Sequence, residues 1–325
     1  MPEAKPQISW LAILDLIPGA FSIFLAGLIA ACTGLWRSKR DAPTLYLHIS
    51  YAVMRKTSAR YSPVQLQWAL PTSDQVYRSY ARSAKIKPEI INLANGASGY
   101  WVGDKHAKNI IIWFHGEIVP CGGFNMAAVP AFFEFWQSFI VALRRSDKDV
   151  AIFAMSYSLA PQATYPTQLI QAVDALRYVD SQKQRAESIV LAGDSAGASL
   201  AFGVLSHLAH PHPAIERLQL AKPLDGLVVV GYPGATNDSH VPAGSERYWG
   251  GDLIDPVVVE NWMKGYMGNS APDYYTDPIG APDSWFHNLP TKRTLMLAGG
   301  NELLRPMIEA FAQKLKETRR QHSKA

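Results

Sequence analysis

From Leu16 to Trp36 the chain reads LIPGAFSIFLAGLIAACTGLW, twenty-one residues without a charge, and Arg37, Lys39 and Arg40 follow at once. As a helix, an uncharged run of that length can cross the roughly 30 Å hydrocarbon core of a bilayer. A cleaved secretory signal carries its positive residues ahead of a shorter apolar run, whereas here only Lys5 precedes it. The pattern therefore predicts an uncleaved membrane anchor with its basic flank over residues 1–40. Asp15, Pro18 and Gly19 near its start leave open a helix that lies in the interface. By the positive-inside rule the basic flank is cytosolic and the short N-terminus lies on the far side, with the endoplasmic reticulum as the expected membrane. The sequon Asn237-Asp238-Ser239 points the other way, since it is usable only in the lumen.

Thr44 to Ser98 is polar, rich in Tyr and Arg and poorly periodic, which predicts short helices covering a pocket and a cap region over 41–105. Then the pattern changes. Ile110–Phe114, Ala151–Met155, Ile189–Ala192, Leu227–Val230 and Thr294–Leu297 are short runs, apolar on both faces, which is the pattern of buried parallel strands. Leu169, Val173 and Leu176 recur between the second and third at helical spacing, as in an amphipathic crossover helix. Alternation of this kind predicts an α/β fold over 106–325, a mostly parallel sheet flanked by helices, with ligands beyond the C-terminal ends of the strands.

Composition narrows the function without choosing it. Hydrophobic residues make up 48% and charged residues 18%, which excludes a disordered chain and allows a sizeable core. The 31 Lys and Arg against 27 Asp and Glu leave a formal charge of +4, and they are scattered, so nucleic acid is not an expected partner. Two cysteines, Cys32 and Cys121, are too few for a disulfide framework or a thiolate zinc site. His207, His210 and His212 have a spacing that could hold a metal, but beside Pro211 and Pro213 they read as a helix end, and no metal is expected. Gly299-Gly300 is not followed by Lys-Ser/Thr, so it does not read as a phosphate loop.

Gly193-Asp194-Ser195-Ala196-Gly197 carries the chemistry, because it sits between a predicted strand and a helix-like stretch, Ala198 to Leu208. A turn that sharp strains the serine backbone, and glycines two before and two after remove the side chains that would clash. The hydroxyl then projects at a helix start, where the dipole favours an oxyanion. A serine needs a base, and the base an orienting acid. Glu302, just past the strand Thr294–Leu297, stands where that acid belongs. Oxyanion donors are expected from the loop after Ile110–Phe114, with Gly122 and Gly123 as candidates, and from Ala196 at the start of the helix.

These motifs resemble the hormone-sensitive-lipase-like branch of the α/β-hydrolases, and in particular fungal steryl acetyl hydrolases and secondary-metabolism esterases. The resemblance covers about Ile110 to Gln313. It rests on the elbow at Ser195, on Leu159-Ala160-Pro161 with Tyr165-Pro166 and Gln168-Leu169, and on Glu302-Leu303-Leu304-Arg305. Trp249-Gly250-Gly251-Asp252 and Asp277-Pro278 with Leu289-Pro290 look like the helical lid, about 232–290, and the approach to the final strands. The resemblance implies an α/β-hydrolase fold and cofactor-free hydrolysis, by an acyl-serine route, of an ester or acetyl group on a small lipophilic molecule. A membrane anchor suits such substrates. Trp249, Trp262, Tyr266 and Trp285 could line the pocket or pack ordinarily.

The chain departs from that pattern twice. The family has His-Gly-Gly-Gly in its oxyanion loop, whereas here Glu117 to Cys121 separates His115-Gly116 from Gly122-Gly123. In relatives, a further strand and the catalytic histidine follow the acid, whereas this sequence stops twenty-three residues after Glu302, with His322 the single histidine in that tail. A C-terminally truncated product is one expectation. A non-hydrolytic role, such as promoting a cyclisation or condensation in a biosynthetic pathway, is another, and an inactive lipophilic-ligand binder is a third. The tail's basic residues read as a solvated helix face.

Overall fold

The predicted anchor is one arm of a helical hairpin. The computed structural model describes residues 5–38, 41–116, 123–182, 186–231, 234, 252–254 and 256–322. A first turn, α1 (Trp10–Leu14), leads into α2 (Leu16–Thr33), and α3 (Leu45–Arg60) packs back along α2. The root is polar: the Arg60 guanidinium donates to both Asp15 carboxylate oxygens at 2.5 and 2.8 Å, and Tyr61 Oη donates to the Leu16 carbonyl at 2.6 Å. The side of α2 facing α3 is small, with Gly19 against the Tyr61 ring and Ala30 buried. Two capped helices follow, α4 (Pro63–Ala69) and α5 (Ser73–Ser83). Ser62 with Gln65 and Thr72 with Gln75 form reciprocal capping boxes, which fixes short helices in a stretch with little hydrophobic period.

The sheet has seven strands among the described residues: β1 (Ile90–Asn92), β2 (Ser98–Val102), β3 (Asn109–Phe114), β4 (Val150–Ser156), β5 (Ile189–Asp194), β6 (Gly226–Val230) and β7 (Thr294–Leu297). Their spatial order is β1-β2-β4-β3-β5-β6-β7. The five runs expected as parallel strands are β3 to β7 and pair in parallel, Ile112 lying opposite both Phe153 and Leu191. β1 and β2 add an antiparallel edge to the sheet, and both lie within the stretch 41–105 read as a cap region. Their few residues carry no β-branched run long enough to register, and position 99 takes glycine because the Phe153 ring occupies the place a Cβ would take.

Helices cover both faces, as the strand pattern requires. On one lies α6 (Pro130–Arg145), whose Phe133 and Trp136 pack with Tyr77, Tyr100 and Ile152. On the other lie α7 (Thr167–Ser181), α8 (Ala196–Ala209) and part of α10 (Arg305–His322), with Leu176, Leu200 and Phe311 in one core. A last helix, α9 (Pro256–Met267), sits over the turn Gly123–Asn125, within the stretch expected to be a lid. Burial is uneven across the sheet. Every position of β4 is buried, whereas β7, at the open edge, exposes Leu295 and Leu297 by about half.

Candidate active site

Ser195 joins β5 to α8 with φ 50° and ψ −119°, a conformation that side-chain-bearing residues rarely hold. Close packing maintains it. A Cβ on Gly193 would lie 2.2 Å from the Gly197 carbonyl oxygen, and one on Gly197 would lie 1.8 Å from the Phe114 carbonyl oxygen. Only hydrogen fits at either place, so the helix start comes down onto β3 and tips the serine out. The Ser195 amide donates to the Val230 carbonyl at 2.7 Å, which ties the turn to β6 as well. Ala196 is the first residue of α8, and its N–H is among the amides a helix leaves unpaired within itself.

Behind the serine, Asp194 accepts from Trp113 Nε1 at 2.9 Å and from the Gly116 amide. Burial raises its carboxyl to about 6, against the lowering effect of those two donors. His115 is buried, stacks on Tyr157 at 4.6 Å, and is brought down to about 4 by the same cost of burial. It is therefore a neutral wall at ordinary pH.

Glu302 sits beyond the end of β7 and turns back toward the elbow. Its Oε2 accepts from the Gly299 amide at 2.7 Å. The point where Gly231 would carry a Cβ lies 3.6 Å from Glu302 Oε1 and 3.4 Å from Ser195 N, so Glu302 and the elbow both close on one glycine. Burial holds the Glu302 carboxyl above the usual range; the Gly299 N–H opposes that and the nearby Asp252 carboxylate adds to it. Asp252 is itself buried and accepts from the Leu303 amide at 2.6 Å, fastening the segment before α9 to the acid loop.

A cavity of about 50 Å³ opens at the serine, with Gly123, Phe124 and Ala196 on one side and Ile254, Trp262 and Met263 on another. Gly123 is thus brought beside Ser195. Gly122 and Glu117 lie outside the described residues, as do Trp249 and the Asn237 sequon. The turn that carries Gly123 is held by an interaction without any sequence signal: Gln67 Nε2, from α4, donates to the Asn125 and Ala160 carbonyls at 2.5 and 2.7 Å. The four aromatics weighed for the pocket divide. Trp262 lines it, Tyr266 stacks on Phe124, and Trp285 stacks on His210. The clustered histidines have local partners: His207 Nδ1 accepts from the His212 amide, His212 Nε2 meets Tyr165 Oη at 3.0 Å, and His210 Nε2 meets the Trp285 carbonyl at 2.9 Å. Among the described residues no histidine lines the serine cavity. His322 ends α10, with its side chain outside what is described.

Comparisons with known proteins bear on the fold that carries this site. A family described as alpha/beta hydrolase fold matches residues 111–323. An ethyl acetate hydrolase of Pseudomonas putida is 31% identical over 140 residues, 42% of this chain and 41% of its own length. The carboxyl esterase 2 of the mycorrhizal fungus Tuber melanosporum matches in structure with a TM-score of 0.56 at 16% identity over 71% of each chain. An esterase of the bacterial hormone-sensitive lipase family matches with a TM-score of 0.54 at 19% identity, over 85% of this chain and 86% of its own. The matched stretch spans less than half the length of the curated relatives.

Proposed function

This chain belongs to the alpha/beta hydrolase fold family, and from that premise we propose that it is a serine hydrolase of the carboxylesterase or deacetylase type, acting on an ester of a small lipophilic molecule such as a sterol or an acetylated secondary metabolite. The observation that carries the reading is Ser195 at positive φ on a strand-to-helix turn, with Glu302 reaching the same glycine, Gly231, that the turn packs on. Ser195 Oγ attacks the ester carbonyl carbon, the carbonyl electrons move onto its oxygen, and the N–H groups of Ala196, Gly123 and Gly122 receive that charge. The serine proton passes to a base that the Glu302 carboxylate orients, and from it to the departing alcohol. Water then cleaves the acyl-serine by the reverse sequence. No described residue is assigned as that base.

The small cavity suits the scissile group. A groove of about 600 Å³ between the hairpin root and α9 offers room for a larger apolar part, and Trp262 lines both spaces. Membrane attachment through the long apolar stretch Trp10–Trp36 supports a lipophilic substrate. The reading includes attachment at the endoplasmic reticulum with the catalytic body on the cytosolic side, on the strength of Arg37, Lys39 and Arg40.

A second reading, a cyclisation or condensation role or ligand binding without turnover, is favoured by the lack of a histidine among the described residues of the cavity. Hydrolysis of p-nitrophenyl acetate decides between them. The first reading expects turnover by the wild type that falls by about 10³-fold or more in Ser195→Ala. Equal turnover by the two proteins contradicts it.

A further inference from the structure

The way the hairpin is rooted decides how it can meet a membrane. Both of its ends return to the catalytic body. At the α2 end, Asp15 is held by Arg60, Gln65 Nε2 donates to the Ala12 carbonyl, and Lys5 Nζ donates to the Trp68 carbonyl. At the α3 end the chain enters α4, where Leu66 packs with Val258 and Trp262. The tip lies at the other end of the pair, where Gly34 meets Leu45. If α2 crossed a bilayer, the tip would sit on the far side and α3 would have to cross back beside it, carrying His48, Arg55 and Lys56 through the apolar core. The arrangement expected from sequence, with the N-terminus on the far side, also separates Lys5 and Ala12 from the residues they bind.

The exposed surface of α2 fits another arrangement. Ile17, Phe21, Phe24 and Leu28 follow one another at helical spacing and are 48–70% exposed. They lie opposite Gly19 and Ala30, which face α3. Trp10 and Trp36 stand at the two ends of the stripe, both exposed, where amphipathic rings settle at a membrane–water boundary. Arg37, Lys39 and Arg40 follow Trp36 and complement anionic headgroups.

We infer that the hairpin docks on a single leaflet, with the α2 stripe in the acyl boundary, α3 on the side away from the lipid, and tip and catalytic body on the same side of the bilayer. This rests on the membrane reading above, and the test separates the two. The full chain, with Cys32→Ser and Cys121→Ser, is added to sealed phosphatidylcholine–phosphatidylserine vesicles. A cysteine is introduced by Ser38→Cys at the tip or by Lys148→Cys on the exposed body surface. A membrane-impermeant maleimide then reports the side. The inference expects both to react at the same rate; a Ser38→Cys protein that co-sediments but reacts only after detergent opens the vesicles overturns it and leaves membrane attachment standing. Loss of co-sedimentation by about tenfold in Phe21→Asp/Leu28→Asp, with an unchanged circular dichroism spectrum, identifies the stripe as the contact. Unchanged co-sedimentation in that variant overturns the inference. Wild type that stays in the supernatant when the vesicles are pelleted, as monomer or dimer, overturns both the inference and the membrane reading.

Discussion

Ser195 and Glu302 both stand past the C-terminal ends of parallel strands, yet they are held by different physics. The elbow belongs to β5, in the middle of the sheet, and sterics leave it no freedom: two glycines touch backbone oxygens, and Asp194 is tied to Trp113 behind it. Glu302 follows β7, at the open edge, where Leu295 and Leu297 are half exposed and a Cβ on Gly300 would have nothing within 4 Å. Hydrogen bonds hold it, from Gly299 to Glu302 and from Leu303 to Asp252. Ser195 is fixed by what cannot fit, Glu302 by what it can bind.

The sharpest way to break that contrast is at the acid. Glu302→Gln keeps the shape and removes the charge, and the account expects ester turnover to fall by about 10²–10⁴-fold with little change in thermal stability. Turnover within about twofold of wild type shows that the carboxylate orients nothing.

Stability separates the regions in the opposite sense. Gly197→Ala forces a methyl onto the Phe114 carbonyl oxygen, and overpacking against unyielding backbone is expected to cost about 3 kcal/mol or more. Gly300→Ala meets open space and is expected to change stability by less than about 1 kcal/mol, or to raise it slightly through the unfolded chain. Urea denaturation of both variants measures this, and equal losses remove the distinction.

A smaller effect lies in the pH dependence of the elbow. Asp194 binds its proton more tightly in the folded protein, at about 6 against 3.8, so its contribution to stability is full below the lower value and is lost as pH rises through the higher one. Melting temperatures between pH 4.5 and 7.5 are therefore expected to decline more in wild type than in Asp194→Asn. Parallel curves mean that the carboxyl is not desolvated.

Sequence and structure agree where a run is apolar at successive positions, whether buried throughout as in β4 or at the edge as in β7. β3 to β7 were readable because their residues are apolar on both faces, and the elbow because its glycines obey a steric rule. β1 and β2 were not readable, since an antiparallel edge of Ile90–Asn92 and Ser98–Val102 is short and has no alternation. α3 read as part of a polar cap because its packing partner, α2, lies across a turn and its own pattern is mixed. Gln67 had no signal and Asp252 stood only in a lid-like motif, because each acts on carbonyls or amides distant in sequence. The position of Glu302 was legible from strand order alone, whereas its approach to Gly231 and Ser195 required the folded chain.

The most direct test of the central claim is to label the 325-residue chain with a fluorophosphonate and locate the adduct by mass spectrometry, with Ser195→Ala as control. The probe reports an activated serine without any knowledge of the natural substrate. The account predicts one adduct, on Ser195, which disappears in the variant. A folded protein that takes up no label, or that is labelled equally after Ser195→Ala, contradicts it.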